Sequence, residues 1–221
     1  MSKKYCSSIF GYERFKTKVV NIGNVPVGGD YPIRVQSMTT TNSMDVKATV
    51  EQSIRMIDAG SEYIRITAPS INEAKNLKFI KKELASKGYN VPLIADIHFT
   101  PNAAEMAAKI VEKVRINPGN YVDRKKFKKF EYSDEEYENE IERIYDRFSP
   151  LVKICKEYGT ALRIGTNHGS LSDRIMNRYG DTPLGMVESA LEFIRICESF
   201  NFYNIVLSMK SSNPIIMVNA Y

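Results

Sequence analysis

Short apolar runs alternate with segments of helical spacing along most of the chain. The apolar runs predict six strands, at residues 33–37, 63–67, 92–97, 113–116, 161–165 and 205–209. Between them, apolar residues recur every three or four positions, as at Val46, Val50, Ile54 and Ile57, which predicts amphipathic helices. A strand followed by a helix, repeated in this way, predicts a parallel sheet with right-handed crossover connections.

Side chains typical of helix ends support these boundaries. Two capping boxes, in which a serine and a glutamate three residues later bond to each other's backbone, are predicted at Ser70 and Glu73 and at Ser133 and Glu136. A capping side chain precedes a proline at three further predicted helix starts: Thr100-Pro101, Thr182-Pro183 and Asn213-Pro214. Glycines mark three predicted helix ends, at Gly60, Gly88 and Gly159.

Two α/β architectures accommodate this order, a TIM-type (β/α) barrel and an open doubly wound sheet. No G-x-G-x-x-G sequence follows the first predicted strand, which disfavours the dinucleotide-binding doubly wound fold, so we prefer the barrel. With about six of eight βα units, the barrel would be incomplete, and we expect the chain to be a fragment. Residues 18–33 predict an N-terminal β-hairpin on the barrel floor. We therefore divide the chain into residues 1–32, the N-terminal segment and hairpin, and residues 33–221, the partial barrel.

Composition and charge exclude several classes of protein. The 221 residues are 43% hydrophobic and 26% charged, as in ordinary globular proteins. The net charge of +5 is too small to indicate nucleic-acid binding but suits an anionic small molecule. The sequence contains neither a membrane-spanning apolar run nor a signal peptide. Three cysteines, Cys6, Cys155 and Cys197, lie far apart, which favours free thiols in a cytoplasmic protein and predicts no metal site.

Arginines within apolar strands are the strongest indication of function. The same pattern occurs at Ile64-Arg65-Ile66, Val114-Arg115-Ile116 and Leu162-Arg163-Ile164, with an echo at Arg34. A buried guanidinium is costly unless it is paired, and the carboxyl ends of barrel strands converge at the mouth where active sites lie. The forked donors of arginine suit phosphate oxygens, so we predict a diphosphate or other dianionic ligand. The alternative is that each arginine pairs with a carboxylate such as Asp96; for Arg34 a structural role is preferred.

Further polar side chains follow the predicted strands, at Asp96, His98, Asn117, Asn167, His168 and Lys210. Asp96 suits three roles: it can orient an arginine, accept from a substrate hydroxyl or act as a base. Lys210 suits a phosphate contact or, less well, a Schiff base. Both histidines of the chain follow strands, which raises the prospect of a functional role for each.

Five blocks of sequence resemble the barrel domain of the 4-hydroxy-3-methylbut-2-enyl diphosphate synthase family. In chain order they are Val35-Gln-Ser-Met-Thr-Thr40, Ala95-Asp-Ile-His-Phe99, Arg115-Ile-Asn-Pro-Gly-Asn120, Arg163-Ile-Gly-Thr-Asn167 with Gly169-Ser-Leu171, and Ser208-Met-Lys-Ser-Ser212. The resemblance extends from about Lys18 to Tyr221. It implies an N-terminal barrel portion of such an enzyme.

The resemblance implies a reductive ring opening in isoprenoid biosynthesis. 2-C-Methyl-D-erythritol 2,4-cyclodiphosphate becomes 4-hydroxy-3-methylbut-2-enyl diphosphate, with two electrons from reduced ferredoxin or flavodoxin. It further implies a substrate-binding set of Arg65, Asp96, Arg115, Arg163, Asn167 and Lys210. From their positions at the strand ends, His98, Asn117 and His168 are possible additions. His168 departs from the family's pattern of small residues, and Arg34 lies outside its phosphate-binding set.

A [4Fe-4S] cluster and a homodimer are implied for the full-length enzyme only. None of Cys6, Cys155 and Cys197 lies in a cluster-ligand motif, so we expect no cluster ligand and no catalytic residue in this chain. The fragment is expected to be inactive alone, and its last predicted strand to present an unpaired apolar edge that favours self-association.

Two other functions remain open. One is a non-redox, phosphate- or diphosphate-binding barrel enzyme of dihydropteroate synthase type. The other is an interaction module in which a basic segment contacts an acidic partner; that segment contains Arg124, Lys125, Lys126, Lys128 and Lys129. A solvated helix face and loop is the simpler interpretation of these charges.

Overall fold

The computed structural model describes Ser8, Phe10, Gly11 and residues 13–122 and 131–221. The basic segment at residues 124–129 and Cys6 lie outside the described residues. The strands are β1 (Val20–Ile22), β2 (Val25–Val27), β3 (Gln36–Met38), β4 (Tyr63–Thr67), β5 (Leu93–Asp96), β6 (Lys113–Ile116), β7 (Ala161–Asn167) and β8 (Ile205–Lys210). The α-helices are α1 (Val46–Asp58), α2 (Ile71–Ser86), α3 (Pro101–Ala108), α4 (Pro118–Tyr121), α5 (Asp134–Tyr158), α6 (Asp173–Tyr179), α7 (Pro183–Ser199) and α8 (Pro214–Ala220).

Strands β3 to β8 form one parallel sheet of six strands in the order in which they occur in the chain. A doubly wound sheet would reverse its strand order at a switch point, and this sheet does not. Within the described residues, β3 and β8 are its edge strands. The order confirms the predicted partial (β/α) barrel of six units.

Alternation along each strand separates two faces of the sheet. Ile64 and Ile66 of β4, like Leu162 and Ile164 of β7, are fully buried in the main apolar core with residues of the surrounding helices. The other strand positions form what we call the inner face, which includes Tyr63, Arg65, Ile94, Asp96, Lys113, Arg115, Ala161, Arg163, Gly165, Asn167, Val206, Ser208 and Lys210. The strands are therefore apolar towards the helices, while charged residues lie along the inner face.

The antiparallel pair β1–β2 is the predicted hairpin. Val20 and Ile22 pack in a second apolar cluster with Tyr63, Ile94 and Ala161, near the amino-terminal ends of three sheet strands. The hydroxyl of Tyr63 donates to the carbonyl oxygen of Val25 at 2.6 Å. The hairpin therefore covers the end of the inner face opposite the carboxyl ends of the strands.

Most predicted helix ends are confirmed. Ser70 and Ser133 form capping boxes with Glu73 and Glu136. Thr182 caps α7 and Asn213 caps α8. The prediction for Thr100 is wrong in one respect: although Thr100 precedes Pro101 of α3, its hydroxyl donates to the carbonyl oxygen of Pro69 at 3.0 Å and does not cap the helix.

The first sheet strand begins later than predicted, at Gln36 instead of residue 33. The reason is that the preceding residues bond to a side chain and to the hairpin. Arg34 Nη1 lies 2.7 Å from Glu62 Oε1, its Nε donates to the carbonyl oxygen of Pro26 at 2.8 Å, and the amide of Val35 donates to Glu62 Oε2 at 2.9 Å. Arg34 therefore connects the hairpin to the sheet, as its structural interpretation predicts.

Candidate anion-binding site

The three strand arginines lie on the inner face of adjacent strands. Arg115 of β6 is the register partner of Arg163 of β7, and Asp96 of β5 is the register partner of Arg115. Arg65 lies on β4, the neighbour of β5. With Asp96 they form what we call the arginine cluster. The arginines do not point to opposite sides of the sheet, because each occupies a position of the same alternation.

Asp96 joins two of the three arginines. Its Oδ2 lies 2.6 Å from Arg65 Nη2, and its Oδ1 lies 3.2 Å from Arg115 Nη1. The Nε2 atom of His98 lies 3.1 Å from Oδ2. Burial alone would raise the pKa of Asp96, but the hydrogen bond from His98 and the charges of Arg65 and Arg115 outweigh it and lower the pKa to about 2. The carboxylate is therefore ionised at neutral pH and orients both guanidinium groups.

Arg163 has no carboxylate partner in the described part of the chain. Its Nε donates to Ser208 Oγ at 3.0 Å, and its terminal nitrogens have no hydrogen-bond partner among those residues. Burial, followed by repulsion from Arg65 and Arg115, lowers the pKa of Arg163, which nonetheless stays charged at neutral pH. The arginine cluster thus contains three cations and one anion. The sequence left open the alternative that each arginine pairs with a carboxylate. Arg65 and Arg115 do so, because both pair with Asp96, whereas Arg163 does not among the described residues.

Gly165 makes room for Arg115. Arg115 Nη2 donates to the carbonyl oxygen of Gly165 at 3.0 Å, and a Cβ atom at position 165 would lie 2.4 Å from Arg115 Nε. Such a contact is too short for any side chain, so only glycine permits the guanidinium to cross β7 here. This role was not predicted from the sequence, where the available signal was a glycine in an apolar strand, two residues after Arg163.

Asn117 and Asn167 meet at the carboxyl ends of β6 and β7. Asn117 Nδ2 donates to Ser170 Oγ at 2.8 Å, and Ser170 Oγ donates to the carbonyl oxygen of Asn167 at 3.1 Å. Asn167 is in register with Lys210, the last residue of β8, which is exposed. These three predicted site residues therefore lie at one end of the sheet, beyond the arginine cluster.

Two buried polar atoms at the site have no hydrogen-bond partner among the described residues: Arg65 Nε and Asn117 Oδ1. Buried polar atoms in folded proteins are usually paired, with protein, water or ligand. One of these is a donor and the other an acceptor, so the site retains hydrogen-bonding capacity of both kinds.

The two histidines differ in position. His98 contacts Asp96 and therefore lies at the edge of the arginine cluster. His168 Nε2 lies 2.7 Å from Oδ1 of Asp181, an exposed residue just before α7. The structure thus brings His98, but not His168, into contact with Asp96.

Two buried cations were missed by the sequence analysis. Lys113, two positions before Arg115 on the inner face of β6, is only 4% exposed. The available signal was its spacing of two residues from Arg115, which places both side chains on the same face of the strand. Arg174 of α6 is 1% exposed and forms a bidentate pair with Glu192 of α7, with distances of 2.8 and 2.6 Å. Arg174 therefore stabilises helix packing, because both of its terminal nitrogens contact one carboxylate.

The described residues do not fit an iron–sulfur cluster. They contain no group of three or more His, Cys, Asp or Glu side chains placed to bind a metal ion. Cys155 and Cys197 are buried free thiols on α5 and α7, and burial raises the pKa of Cys155 to about 12. Thiols that are protonated and enclosed by apolar side chains are poor metal ligands.

No helix in the described ranges combines the length and apolar composition that crossing a membrane requires.

Comparison with solved structures supports the fold. The chain is similar to a truncated 3-deoxy-D-arabino-heptulosonate 7-phosphate synthase from Thermotoga maritima, with a TM-score of 0.53, 11% identity, and coverage of 90% of this chain and 60% of that one. A methylaspartate ammonia lyase from Clostridium tetanomorphum gives a TM-score of 0.53 at 14% identity, covering 86% of this chain and 41% of that one. At these identities the likeness concerns the fold alone.

Comparison of sequences identifies the family. Proteins named 4-hydroxy-3-methylbut-2-en-1-yl diphosphate synthase (flavodoxin) from Protochlamydia amoebophila and Bacteroides thetaiotaomicron are 57% and 59% identical over 100% and 95% of this chain. A ferredoxin-type, chloroplastic relative from Oryza sativa is 54% identical over 99% of the chain. The chain spans 34%, 34% and 30% of the lengths of these proteins. The model of the GcpE TIM-barrel domain matches residues 17–221, and the chain belongs to that family.

Proposed function

We propose that this chain is the diphosphate-binding barrel portion of a 4-hydroxy-3-methylbut-2-enyl diphosphate synthase. Its ligand would be 2-C-methyl-D-erythritol 2,4-cyclodiphosphate, and residues 33–221 would form the binding unit behind the segment 1–32. The observation that carries the proposal is the arginine cluster, in which three guanidinium groups lie on one face with a single carboxylate, Asp96, that pairs with only two of them. The names of the relatives, which specify a diphosphate product, support the same ligand class.

Each predicted residue has a distinct part in this proposal. The free terminal nitrogens of Arg163 bind phosphate oxygens directly, since no carboxylate among the described residues competes for them. Arg65 and Arg115 present their remaining donors while Asp96 maintains their orientation. Asn167 and Lys210, adjacent at the strand ends, add a second set of donors. His98, Asn117 and His168 are secondary candidates for contacts with the ligand.

The chain's contribution to catalysis is positioning and charge stabilisation. Preorganised guanidinium groups in a site of restricted solvent access stabilise diphosphate charge and align the substrate without reorganising during the reaction. Asp96 does not suit the role of general base, because its pKa of about 2 leaves little affinity for a proton at neutral pH. From the sequence, Asp96 suited three roles: orienting an arginine, accepting from a substrate hydroxyl or acting as a base. Its contacts with Arg65 and Arg115 support the first.

The remaining features of the enzyme concern the complete protein. We propose a cytoplasmic homodimer that receives electrons from ferredoxin or flavodoxin, the donors named for the relatives. The [4Fe-4S] cluster that the resemblance implies has no ligand set among the described residues. The dihydropteroate synthase alternative is not favoured, because the relatives at 54–59% identity carry the diphosphate synthase name.

Calorimetric titration of the complete protein with the cyclic diphosphate tests the proposal. Arg163→Gln should weaken binding by about tenfold to a hundredfold, the value of one or two charge-assisted hydrogen bonds. Arg195→Gln removes the same charge from a side chain that is 59% exposed on α7, and it should leave affinity unchanged. A pterin diphosphate should not compete. Equal loss in both variants, or preference for the pterin, would contradict the proposed ligand.

A further inference from the structure

Lys113 is a buried cation within the proposed site. It opens β6 on the inner face, in register with Ile94 on one side and Ala161 on the other, and it precedes Arg115 by two residues. Its side chain is 4% exposed in total, and its Nζ lies 5.0 Å from the centre of the Tyr63 ring. The amine is therefore enclosed between an aromatic ring, the apolar floor residues and the arginine cluster.

Lys113 has no acidic partner among the described residues. The charged or titratable side chains on the inner face around it are Tyr63 and Arg65 of β4, Asp96 of β5, Arg115 of β6, Arg163 of β7 and Lys210 of β8. The hairpin side chains that pack nearby, Val20, Ile22, Val25 and Val27, are apolar. Glu112, its chain neighbour, bonds instead to Lys81 and to the amide of Leu93.

Asp96, the one carboxylate on the inner face near Lys113 in the part of the chain that the structure describes, already pairs with two arginines. Asp96 contacts Arg65 and Arg115 through separate oxygens. In the ligand-free site, protonated Lys113 adds a fourth positive charge to three arginines and one carboxylate. The repulsion between these cations disfavours the charged form of the lysine. Burial, followed by repulsion from Arg163 and Arg65, lowers the pKa of Lys113 to about 7. The other cations of the cluster are guanidinium groups, which do not lose their charge near neutral pH.

We propose that Lys113, enclosed beside three arginines with no acidic partner among the described residues, is a charge-regulating residue of the anion site that takes up one proton when a diphosphate binds. The proton comes from water or buffer and forms an N–H bond at Nζ, with no other bond changed. This inference rests on the proposed function, because it requires a dianion beside the arginine cluster. The bound negative charge offsets the repulsion that disfavours the ammonium form in the empty site.

Proton uptake makes ligand affinity depend on pH with a defined sign. The ligand raises the affinity of Lys113 for its proton, so by linkage the protonated amine raises the affinity for the ligand. Affinity should therefore fall by up to about tenfold per pH unit above pH 7, until the amine titrates in the complex as well. Below pH 7, where Lys113 is already charged, affinity should change little through this residue.

Calorimetry in two buffers measures the proton directly. The complete protein is titrated with 2-C-methyl-D-erythritol 2,4-cyclodiphosphate at pH 7.5, once in Hepes and once in Tris, whose ionisation enthalpies differ. In the cyclic diphosphate each phosphorus carries one ester linkage, one anhydride linkage and a single strongly acidic oxygen, so the ligand does not titrate near neutrality and any proton must bind to the protein. We expect uptake of about 0.8 proton per ligand from a group with a pKa near 7.

Three variants separate Lys113 from other titrating groups. Lys113→Met should abolish the buffer dependence and flatten the pH profile, and Lys113→Arg should bind tightly without proton uptake. His98→Gln, which removes a titratable side chain 3.1 Å from Asp96, should keep the uptake. If Lys113→Met does not fold, Lys113→Arg still decides the question, because proton uptake that persists in Lys113→Arg would belong to another group and overturn the inference.

The outcomes distinguish the two proposals. Absence of any binding would contradict the proposed function. Tight binding without proton uptake would overturn the role of Lys113 alone, and would show that the amine is already charged, for instance through a carboxylate elsewhere in the complete protein. Uptake that persists in Lys113→Met and disappears in His98→Gln would assign the proton to the histidine and also overturn the inference.

Discussion

Arg115 and Arg163 are register partners on the inner face of two adjacent parallel strands. Both remain charged at neutral pH, and like charges in register repel each other. Arg115 is compensated by Asp96, whereas Arg163 donates, among the described residues, only to the neutral hydroxyl of Ser208. The empty site therefore contains an electrostatic repulsion that a bound dianion would relieve.

This arrangement predicts opposite effects of Arg163→Gln on stability and on binding. Removing an uncompensated cation should leave the free energy of unfolding of the empty protein unchanged or raise it by about 0.5 kcal/mol. The same variant should lose diphosphate affinity. Urea unfolding without ligand, together with calorimetric titration, checks both expectations.

The matched comparison is Arg174→Gln. Arg174 is also buried, but it pairs with Glu192 through two nitrogens. Its replacement leaves a buried carboxylate without this partner and should lower the free energy of unfolding by about 3–5 kcal/mol. If Arg163→Gln were as destabilising as Arg174→Gln, Arg163 would be a structural residue.

Asp96→Asn should destabilise the protein in a manner that depends on pH. The folded-state pKa of Asp96 lies near 2, below its usual 3.8. The carboxylate therefore contributes stability that is present above about pH 4 and is lost as the pH falls towards 2, by linkage about 2 kcal/mol. Urea unfolding at pH 7, 5, 4 and 3 should show the wild type approaching the variant at low pH. A constant difference across this range would contradict the pairing.

Gly165→Ala should displace Arg115 and so reduce anion affinity. The new Cβ would lie 2.4 Å from Arg115 Nε, which forces the guanidinium away from the carbonyl oxygen of residue 165. Overpacking of this kind costs about 1–3 kcal/mol. Gly169→Ala is the control, because no atom beyond its two chain neighbours lies within 4 Å of its Cβ position, and it should leave affinity and stability unchanged.

The outer edge of β8 predicts self-association of residues 1–221 when they are produced alone. Strand β8 lies at one edge of the described sheet, and Leu207 at its centre is 39% exposed. Unpaired strand edges with apolar side chains associate with other chains. Light scattering should show oligomers, and Leu207→Lys should reduce them. A monodisperse monomer would contradict this prediction.

Much of the fold follows from local pattern. Strand β4 and strand β6 have the predicted bounds, Tyr63–Thr67 and Lys113–Ile116, because their apolar runs are short and end at clear breaks. Strand β3 begins later than predicted because Arg34 bonds to the carbonyl oxygen of Pro26 in the hairpin and the amide of Val35 bonds to Glu62, which lies 27 residues further along the chain. Helices α4 and α6 were not predicted, since four and seven residues give too little periodicity to recognise.

For the candidate site, chain order and a period of two were enough to place Arg65, Arg115 and Arg163 on one face of a parallel sheet. They were not enough to show that Asp96 pairs with Arg65 and Arg115 but not Arg163. Nor did they show that Lys113 is buried beneath the arginines with no acidic partner in the described ranges. Alternation is a local property of each strand and is visible in its residues. Which charges meet depends on the register between strands and on the floor formed by the hairpin, and both arise only when distant segments pack together.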